Sequence, residues 1–275
     1  MIDYKDRGWE IPLHSINEFK SKSKDYCVCV PVINEGEKIK KQILRMSPFS
    51  EWVDIIILDG GSTDGSLNPD FLMKNGIRAL LTKQDKGKLS AQLRMGFGFA
   101  LQQGYKGIIT VDGNGKDGVE AIPEFVRSME QGFDFVQGSR YIPGGTEINT
   151  PLSRKLAIKI MHAPFLSLLS RHHYTDTTNG FRGHSSRFLL DHRLQPFRSI
   201  FDSYELLAYI TVKAPRLGYK VKEIPVSRIY PEGKIPTKIS PWKGNLLLIK
   251  ILWRTMLGVY DPINHKDSGN NGLSS

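Results

Sequence analysis

From residue 26 onward, the chain alternates short apolar segments typical of strands with longer segments of helical periodicity. The strand-like segments are YCVCVPV at 26–32, VDIIILDG at 53–60, IRALLT at 77–82, GIITVDG at 107–113 and FDFVQGS at 133–139. The helical segments between them include EKIKKQILRM and GKLSAQLRMGFGFALQQG, whose apolar residues fall on one face or fill the segment. This alternation predicts an α/β domain with a mostly parallel sheet flanked by helices.

The alternation weakens after residue 142. We predict a loop over IPGGTEINTP, an apolar helix over 153–170 and an irregular stretch over TDTTNGFRG. A helix over SYELLAYITVKAPRLG and a single strand over KVKEIPVSRIY follow. The predicted organisation is an N-terminal extension (1–25), one nucleotide-binding domain (26–230), a basic loop with an apolar helix (231–262) and a disordered tail (263–275).

The net charge of the chain indicates which classes of partner it attracts. Lys and Arg outnumber Asp and Glu by 38 to 28, a formal net charge of +10, so the surface should attract anions such as nucleotides, phosphorylated lipids and acidic membranes. The basic residues are scattered and form no nucleic-acid motif, which argues against a nucleic-acid partner. Cys27 and Cys29 should point to one face of a strand as packed, reduced thiols. We find no signal peptide and no apolar run of about 20 residues, and expect a cytoplasmic protein.

The segment VDGNGKDG at 111–118 allows two interpretations. Its three glycines have the G-x-G-x-x-G spacing of a dinucleotide-binding turn, and Asp134 follows at about the distance expected of the ribose ligand. However, Asp134 begins a strand, and the motif does not follow the first strand as it does in that fold. Asp112 and Asn114 instead offer two oxygen-bearing side chains with the spacing of a nucleotide-sugar metal site.

The metal interpretation requires polar groups from several strands in one crevice, because parallel α/β sheets bind ligands at the carboxyl ends of their strands. The chain meets this requirement after four of the five strands predicted over residues 26–139, all except IRALLT. The residues concerned are Pro31, Asn34 and Glu35; Asp59, Ser62, Thr63 and Asp64; Asp112 and Asn114; and Ser139 and Arg140.

Seven segments together resemble the family-2 inverting glycosyltransferases of the GT-A fold, and within them the dolichyl- and polyprenyl-phosphate hexosyltransferases. The resemblance covers about residues 26–240. The segments are VPVINEGEKI, ILDGGSTDGS, GKLSAQLRMGFGFA, VDGNGKDGVEAIPEFV, DFVQGSRYIPGG, NTPLSRKLAIK and DTTNGFRG.

The resemblance implies a metal-dependent enzyme that moves a hexose from a UDP- or GDP-linked sugar to an acceptor, using Mg²⁺ or Mn²⁺. It implies a metal site at Asp112 and Asn114, and phosphate-binding arginines at Arg140 and Arg154; we add Arg182 as a candidate for binding the acceptor phosphate. The expected donor-binding residues are Pro31, Asn34, Glu35, Asp59, Gly61, Lys88, Asp112 and Gly113. The expected catalytic residues are Asp112, Arg140, Asp176 and Glu205.

Three positions depart from the family pattern. Asn114 stands where a second aspartate is usual and offers a carbonyl oxygen without charge, so the metal should bind more weakly. Lys116 stands where some synthases have a glutamine ligand, and a protonated lysine cannot coordinate a metal. Gly60 replaces a common aspartate and leaves Asp59 alone for the base.

The acceptor decides whether a general base is needed. A polyprenyl phosphate is already an anion, which Arg154 and Arg182 suit, whereas the hydroxyl of a cell-surface glycan must lose a proton to a carboxylate. Candidates for that base are Asp176, Asp202 and Glu205. We favour the lipid phosphate and keep the hydroxyl as the alternative.

Two other classes of function stay open. Asn114 and Lys116 are compatible with a catalytically silent nucleotide-sugar-binding protein, and the glycine motif with an oxidoreductase. The last helix, WKGNLLLIKILWRTMLG, is too apolar for one narrow stripe. We expect it to pack on the domain or on a second subunit, with peripheral contact to the inner face of the membrane as the alternative.

Overall fold

The computed structural model describes residues 7–231 and 241–262, without the side chains of 241–246. Residues 232–240 of the predicted basic loop and the predicted tail at 263–275 lie outside the described residues. The strands are β1 (His14–Glu18), β2 (Tyr26–Val32), β3 (Asp54–Asp59), β4 (Ile77–Lys83), β5 (Gly107–Thr110), β6 (Phe135–Ser139), β7 (Thr146–Ile148), β8 (Arg182–Ser185), β9 (Val221–Pro225) and β10 (Ser227–Ile229).

The helices lie between the strands and on both faces of the main sheet. Short 3₁₀ turns at Ser47–Glu51 and Val119–Ala121 extend two of the connections. The α-helices are α1 (Glu37–Met46), α2 (Pro69–Lys74), α3 (Leu89–Gln102), α4 (Ile122–Glu130), α5 (Leu152–Leu156), α6 (Ala163–Ser170), α7 (Ser186–Leu189), α8 (Glu205–Arg216) and α9 (Pro241–Met256).

The main sheet contains eight strands in the order β1-β4-β3-β2-β5-β8-β6-β9. The pairs β4-β3, β3-β2, β2-β5 and β6-β9 are parallel, whereas β1 and β8 run antiparallel to their neighbours. The predicted α/β class with a mostly parallel sheet is therefore confirmed. The structure differs at TDTTNGFRG, which leads directly into β8, inserted between β5 and β6.

Three predicted elements have different boundaries. The N-terminal extension contributes an edge strand, because β1 pairs with β4. The single strand predicted over 220–230 divides at Val226: β9 pairs with β6, while β10 joins β7 in a separate two-stranded sheet. The predicted loop over 142–151 contains β7. Edge and crossover pairings of this kind depend on distant partners that local periodicity does not reveal.

Buried side chains pack on both faces of the central strands. Cys27 and Cys29 lie on one face as free, buried thiols, as predicted, against α3 and α8. The alternate residues of β2, Val28 and Val30, pack on the opposite face with α1 and α4. Helix α3 is buried on every side from Ser90 to Leu101, which explains why its sequence lacks a polar face.

The predicted helix over 153–170 is interrupted by a π-helical turn at Ala157–His162. Pro164 follows this turn at the start of α6 and has no N–H to donate, so the regular hydrogen-bond ladder cannot continue through it. Helix α6 then packs through Leu166 against Val212 of α8 and Leu252 of α9. Among the described residues, none of the helices has the length and apolar character needed to cross a bilayer.

His184 on β8 is fully buried between the rings of Phe97 and Phe135, at centroid distances of 5.2 and 5.4 Å. Within the described part of the chain, neither ring nitrogen has a hydrogen-bond partner. Burial, together with the charge of Arg182, lowers the pKa of His184 to about 3. The folded protein therefore keeps this ring neutral at neutral and mildly acidic pH.

We expect the free energy of unfolding to fall as the pH drops from about 6.5 towards 3, because the unfolded chain binds a proton at His184 that the folded chain does not. The loss from this histidine alone is about 1.4 kcal/mol at pH 5.5. His184→Phe should remove that part of the difference between pH 7.5 and 5.5, measured by urea unfolding. The exposed His192→Gln is the control, and an equal pH dependence in wild type and His184→Phe would contradict the expectation.

Candidate active site

The candidate site lies where the strand order of the main sheet reverses, between β2 and β5. The chain proceeds from β2 to β3 and β4 on one side, whereas β5 lies on the other side. Connections that leave neighbouring parallel strands in opposite directions open a crevice at the carboxyl ends of those strands. The loops after β2, β3 and β5 therefore line this crevice.

The loops after β2 and β3 are tied together by hydrogen bonds. The Asn34 N–H donates to the hydroxyl of Ser62 at 3.0 Å, and the side-chain oxygen of Asn34 accepts from the Thr63 N–H at 2.8 Å. The Gly36 N–H donates to Oδ2 of Asp64 at 2.8 Å. Asn34, which we predicted to bind the donor, thus also braces one wall of the crevice.

Asp59 is the last residue of β3, directly before this loop, and is 5% exposed. Its Oδ1 accepts from the N–H groups of Gly61 at 3.1 Å and Ser62 at 2.8 Å, which fixes the turn. Glu35 follows β2, and its carboxylate lies 3.7 Å from Nζ of Lys38. These contacts hold three of the predicted donor-binding residues in the loops beside the strand-order reversal.

The loop after β5 is held against β2 and α1. The Gly113 N–H donates to the carbonyl of Pro31 at 3.1 Å, and a Cβ at Gly113 would lie 2.9 Å from that oxygen. Only glycine allows this approach. Nε2 of the buried Gln42 donates to the Asp112 carbonyl at 3.0 Å, and its Oε1 accepts from the Gly115 N–H at 2.7 Å. The sequence pattern did not indicate this role of Gln42.

Asp112 follows β5, and its side chain is 29% exposed. Its Oδ2 lies 3.3 Å from Nη2 of Arg228 and 3.4 Å from Nδ2 of Asn114. On the other side, a Cβ at Gly180 would lie 2.6 Å from Oδ1, so this glycine leaves room for the carboxylate. The geometry brings the two predicted metal ligands together.

Arg228 on β10 links Asp112 to a second carboxylate. Nη1 of Arg228 lies 2.6 Å from each carboxylate oxygen of Asp117, which is fully buried. Burial alone would lower the pKa of Arg228, but the two carboxylates outweigh it and raise that pKa, so the guanidinium stays charged. Arg228 was not among the predicted site residues. The available signal was its position between Val226 and Tyr230 on one face of a strand, where a buried arginine requires a carboxylate.

Tyr230 is surrounded by cations. The ring centroid lies 5.2 Å from Nζ of Lys116, 5.5 Å from Cζ of Arg154 and 5.6 Å from Cζ of Arg228. Nη1 of Arg154 also donates to the Tyr230 hydroxyl at 3.2 Å. We call these four residues the Tyr230 cluster.

The Tyr230 cluster is electropositive. Burial would raise the pKa of the Tyr230 hydroxyl, but the charges of Arg228, Arg154 and Arg140 outweigh it and lower that pKa. Burial and the neighbouring Arg228 and Arg154 lower the pKa of Lys116. Positive charge therefore exceeds negative charge beside Asp112.

Arg140 and Asp176 form a buried ion pair. Nε and Nη2 of Arg140 lie 2.6 and 2.9 Å from the two carboxylate oxygens, and both side chains are almost completely buried. Asp176 also accepts from the backbone and hydroxyl of Thr178, each at 3.2 Å. The carboxylate that we expected to be catalytic is therefore enclosed and fully engaged, which argues against that role. Arg140 is correspondingly committed to Asp176 and not to an open phosphate site.

Arg182 does not face the crevice. It is 1% exposed, and its guanidinium donates to the carbonyls of Thr177, Asn179 and Leu207 at 2.8–2.9 Å and to the Thr211 hydroxyl at 3.0 Å. Because all of these partners are internal, the structure argues against the expectation that Arg182 binds an acceptor phosphate. Its side chain joins β8 to α8.

The starts of α3 and α8 bring together three candidate residues from the sequence: Lys88, Asp202 and Glu205. The Lys88 N–H donates to the Asp202 carbonyl at 2.8 Å, and a Cβ at Gly87 would clash with Oδ1 of Asp202. Oε2 of Glu205, the first residue of α8, accepts from the Ser203 N–H at 2.7 Å in the loop before the helix. Asp202 is exposed, whereas Glu205 is half-buried and engaged.

The side chains at Asp112 suit a divalent metal only in part. Among the described residues, no three His, Cys, Asp or Glu side chains form a cluster that could hold a metal ion. Asp112 and Asn114 supply one carboxylate and one amide, and Oδ1 of Asn114 already accepts from the Lys116 N–H at 3.2 Å. Mg²⁺ is often bound by one or two protein oxygens together with substrate phosphates and water, and this donor set fits such a site.

The sequence profile of Glycosyl transferase family 2 matches residues 27–193, more than half of the chain. The fold and this match define a glycosyltransferase. The chain belongs to glycosyltransferase family 2, as its seven segments predicted.

The names of two similar proteins fall within the polyprenyl-phosphate hexosyltransferase group that the sequence predicted. The chain is 28% identical over 205 residues to the polyprenol monophosphomannose synthase of Mycolicibacterium smegmatis, covering 73% of this chain and 76% of that one. It is 26% identical over 200 residues to the undecaprenyl-phosphate mannosyltransferase of Micrococcus luteus, covering 72% and 81%. The predicted resemblance to the polyprenyl-phosphate group is confirmed.

The fold is similar to that of glucosyl-3-phosphoglycerate synthase from Mycobacterium tuberculosis, solved with Mn²⁺, UDP and phosphoglyceric acid. The TM-score is 0.62 at 14% identity, covering 85% of this chain and 77% of that one. This similarity confirms the predicted GT-A fold.

We expect Asp176→Asn to lower the free energy of unfolding by roughly 3–5 kcal/mol, because it leaves the Arg140 guanidinium buried without its counter-charge. Asp25→Asn is the matched control, since the ion pair of Asp25 with Lys106 is exposed, and its effect should be much smaller. Chemical unfolding monitored by circular dichroism measures both. An Asp176→Asn protein as stable as wild type but inactive would instead restore Asp176 as a catalytic base.

Proposed function

We propose that the protein transfers a hexose from a UDP- or GDP-linked sugar to a polyprenyl phosphate, with inversion at the anomeric carbon. The two relatives above support this acceptor, because one is named as a synthase of polyprenol monophosphomannose and the other as an undecaprenyl-phosphate mannosyltransferase. The structural observation that carries the proposal is the position of Asp112, at the strand-order reversal and directly beside the electropositive Tyr230 cluster.

The charges in the site suit a reaction between two anionic substrates. A sugar nucleotide brings a diphosphate and a polyprenyl phosphate brings a second phosphate, and both need positive charge in a restricted space. Arg154 and Arg228 flank Tyr230, and Arg154 lies on α5, next to the two-stranded sheet. A site for a neutral sugar acceptor would need cations for the donor diphosphate alone.

The acceptor phosphate is already ionised near neutral pH, so its attack needs orientation and not proton removal. Arg154 orients the phosphate through the guanidinium that also contacts the Tyr230 hydroxyl. Attack on the anomeric carbon from the side opposite the diphosphate inverts the configuration in a single displacement. The braced loops after β2 and β3 hold the nucleoside so that this carbon faces the acceptor.

Asp112 and Asn114 would hold a divalent cation, which when bound neutralises charge on the departing diphosphate. The Asp112 carboxylate must then share its Oδ2 with Arg228 or release it. Asp117 keeps Arg228 in place in either case, because both of its oxygens contact Nη1. Arg228 thus stays beside the diphosphate throughout the reaction.

The hydroxyl acceptor remains the second candidate, because Asp202 is an exposed carboxylate in the loop before α8. It could accept a proton from an acceptor hydroxyl, whereas the half-buried Glu205 already accepts a hydrogen bond from the Ser203 N–H. Product analysis with both acceptor classes distinguishes the two. Glycan product without polyprenyl-phosphate product would overturn the proposed acceptor.

We expect Asp112→Asn to reduce transfer from the donor to polyprenyl phosphate by about 100-fold or more, because charge stabilisation of this kind is worth several kcal/mol. The assay is mass detection of the lipid-linked sugar, with a panel of UDP- and GDP-sugars and with Mn²⁺ present. Asp70→Asn, in the first turn of α2, removes an aspartate elsewhere and should leave the rate unchanged. Unaltered transfer by Asp112→Asn would rule out the metal assignment.

The same proposal requires access to a lipid acceptor, and the helices beside the site carry an exposed apolar surface. We define the apolar face as the exposed residues Leu152, Leu156, Ile160, Met161 and Leu168 of the α5–α6 segment, with Trp253, Met256 and Leu257 at the end of α9. The two elements adjoin through Leu166 and Leu252. We propose that this face contacts an anionic lipid surface, to which the net charge of +10 also attracts the protein.

Leu156→Ser combined with Ile160→Ser should weaken binding to liposomes by about tenfold, since each change removes one apolar side chain from the membrane contact. Cosedimentation with phosphatidylglycerol vesicles measures this binding. Leu13→Ser with Leu44→Ser, which removes two exposed leucines from other elements, is the control. Equal binding to neutral and anionic vesicles, or an equal loss in the control, would contradict the proposed membrane contact.

A further inference from the structure

The three cations of the Tyr230 cluster differ in whether a carboxylate neutralises them. Arg228 is paired with Asp117 and contacts Asp112. Across residues 7–231 and 241–262, no carboxylate lies within ion-pair distance of Lys116 or Arg154. The cluster therefore holds more positive charge than its own carboxylates balance.

The backbone on both sides of Lys116 fixes where its side chain begins. Its N–H donates to Oδ1 of Asn114 at 3.2 Å, and its carbonyl accepts from the Ile229 N–H at 2.9 Å. The next residue is Asp117, whose carboxylate is held by Arg228. Lys116 thus leaves a braced loop, and its Nζ lies over the Tyr230 ring at 5.2 Å.

Holding a half-buried ammonium beside two guanidinium groups costs free energy unless an anion joins them. The Tyr230 ring face offsets only part of this cost, because a cation–π contact at such a site is worth less than a charged hydrogen bond. A group with several anionic oxygens would relieve the repulsion among all three cations at once. Phosphoryl groups have this chemistry, and lysine binds them as a compact point charge.

We propose that Lys116 is a phosphate-binding residue: its ammonium group binds a phosphoryl oxygen held over Tyr230, between Arg154 and Arg228, without needing a divalent metal. The inference rests on the proposed function, which supplies two phosphoryl sources, the donor diphosphate and the acceptor phosphate. It goes beyond that function because it gives Lys116 a binding role at a position where it cannot act as a metal ligand. The fixed cation lets the site retain phosphoryl affinity when the metal is removed.

Isothermal titration calorimetry in EDTA tests the inference with four probes: pyrophosphate, UDP, GDP and a water-soluble short-chain isoprenyl phosphate. Lys116→Gln should weaken binding of at least one probe tenfold or more, because a charged hydrogen bond is lost. Lys116→Arg should recover part of that loss. Lys41→Gln, which removes an exposed lysine from the nearby helix α1, should change binding less than twofold.

The melting temperature separates binding from folding. Lys116→Gln keeps the backbone contacts and removes a repelled charge, so its melting temperature should equal or exceed that of wild type. A loss confined to UDP and GDP assigns Lys116 to the donor diphosphate, and a loss confined to the isoprenyl phosphate assigns it to the acceptor. Both outcomes support the inference.

Affinities within twofold of wild type for every probe, or an equal loss in Lys41→Gln, would overturn the inference and leave the proposed function intact. The reverse result is also distinguishable. If wild type binds pyrophosphate through Lys116 but binds no nucleotide and no isoprenyl phosphate, even with Mn²⁺, the phosphate site stands and the proposed function falls. A lowered melting temperature together with unchanged affinities would assign Lys116 a structural role instead.

Discussion

The buried ion pair between Asp117 and Arg228 joins the two parts of the chain that form the site. Asp117 belongs to the loop after β5, and Arg228 to β10, which pairs with β7 in the small second sheet. Neither charge would be tolerated in the interior alone, so each segment needs the other to be buried. The pair also sets the direction of the guanidinium, whose second nitrogen faces Asp112. The position of Arg228 beside both Asp112 and Tyr230 depends on this contact.

The ion pair between Asp117 and Arg228 also lies close to the residues that we propose bind the lipid substrate. Tyr230 lies two residues beyond Arg228. Its hydroxyl accepts a hydrogen bond from Arg154 of α5, the helix that begins the apolar face. One short helix therefore presents an arginine to the site and leucines to its surroundings. A polyprenyl phosphate has the matching division into an anionic head and an apolar chain. This arrangement is the physical basis on which we favour a lipid phosphate over a sugar hydroxyl.

Local pattern was sufficient for the framework of the nucleotide-binding half. Strands β2 to β6, the fully buried helix α3 and the shared face of Cys27 and Cys29 follow from periodicity and apolar content. Position at strand ends was sufficient to bring Asn34, Asp59 and Asp112 to one crevice, because parallel strands end on the same edge. Pattern failed for β8 and for the division of β9 from β10, where pairing with distant strands decided the structure. It also did not indicate that Arg182 and Asp176 are enclosed, since sequence does not distinguish an arginine or aspartate in a cleft from one in the interior.

The sequence by itself determined the class of fold, the edge of the sheet that carries the site, and the family, because each is encoded in periodicity and short motifs. Only the tertiary structure decided which charges are available to a ligand. Asp117 and Arg228 are 111 residues apart, and Arg140 and Asp176 are 36 apart, so no local pattern pairs them. In a sequence, a charged residue in water and one buried with its counter-ion are written with the same letter. Making the buried charge available to a substrate costs several kcal/mol more, because its ion pair must first be broken.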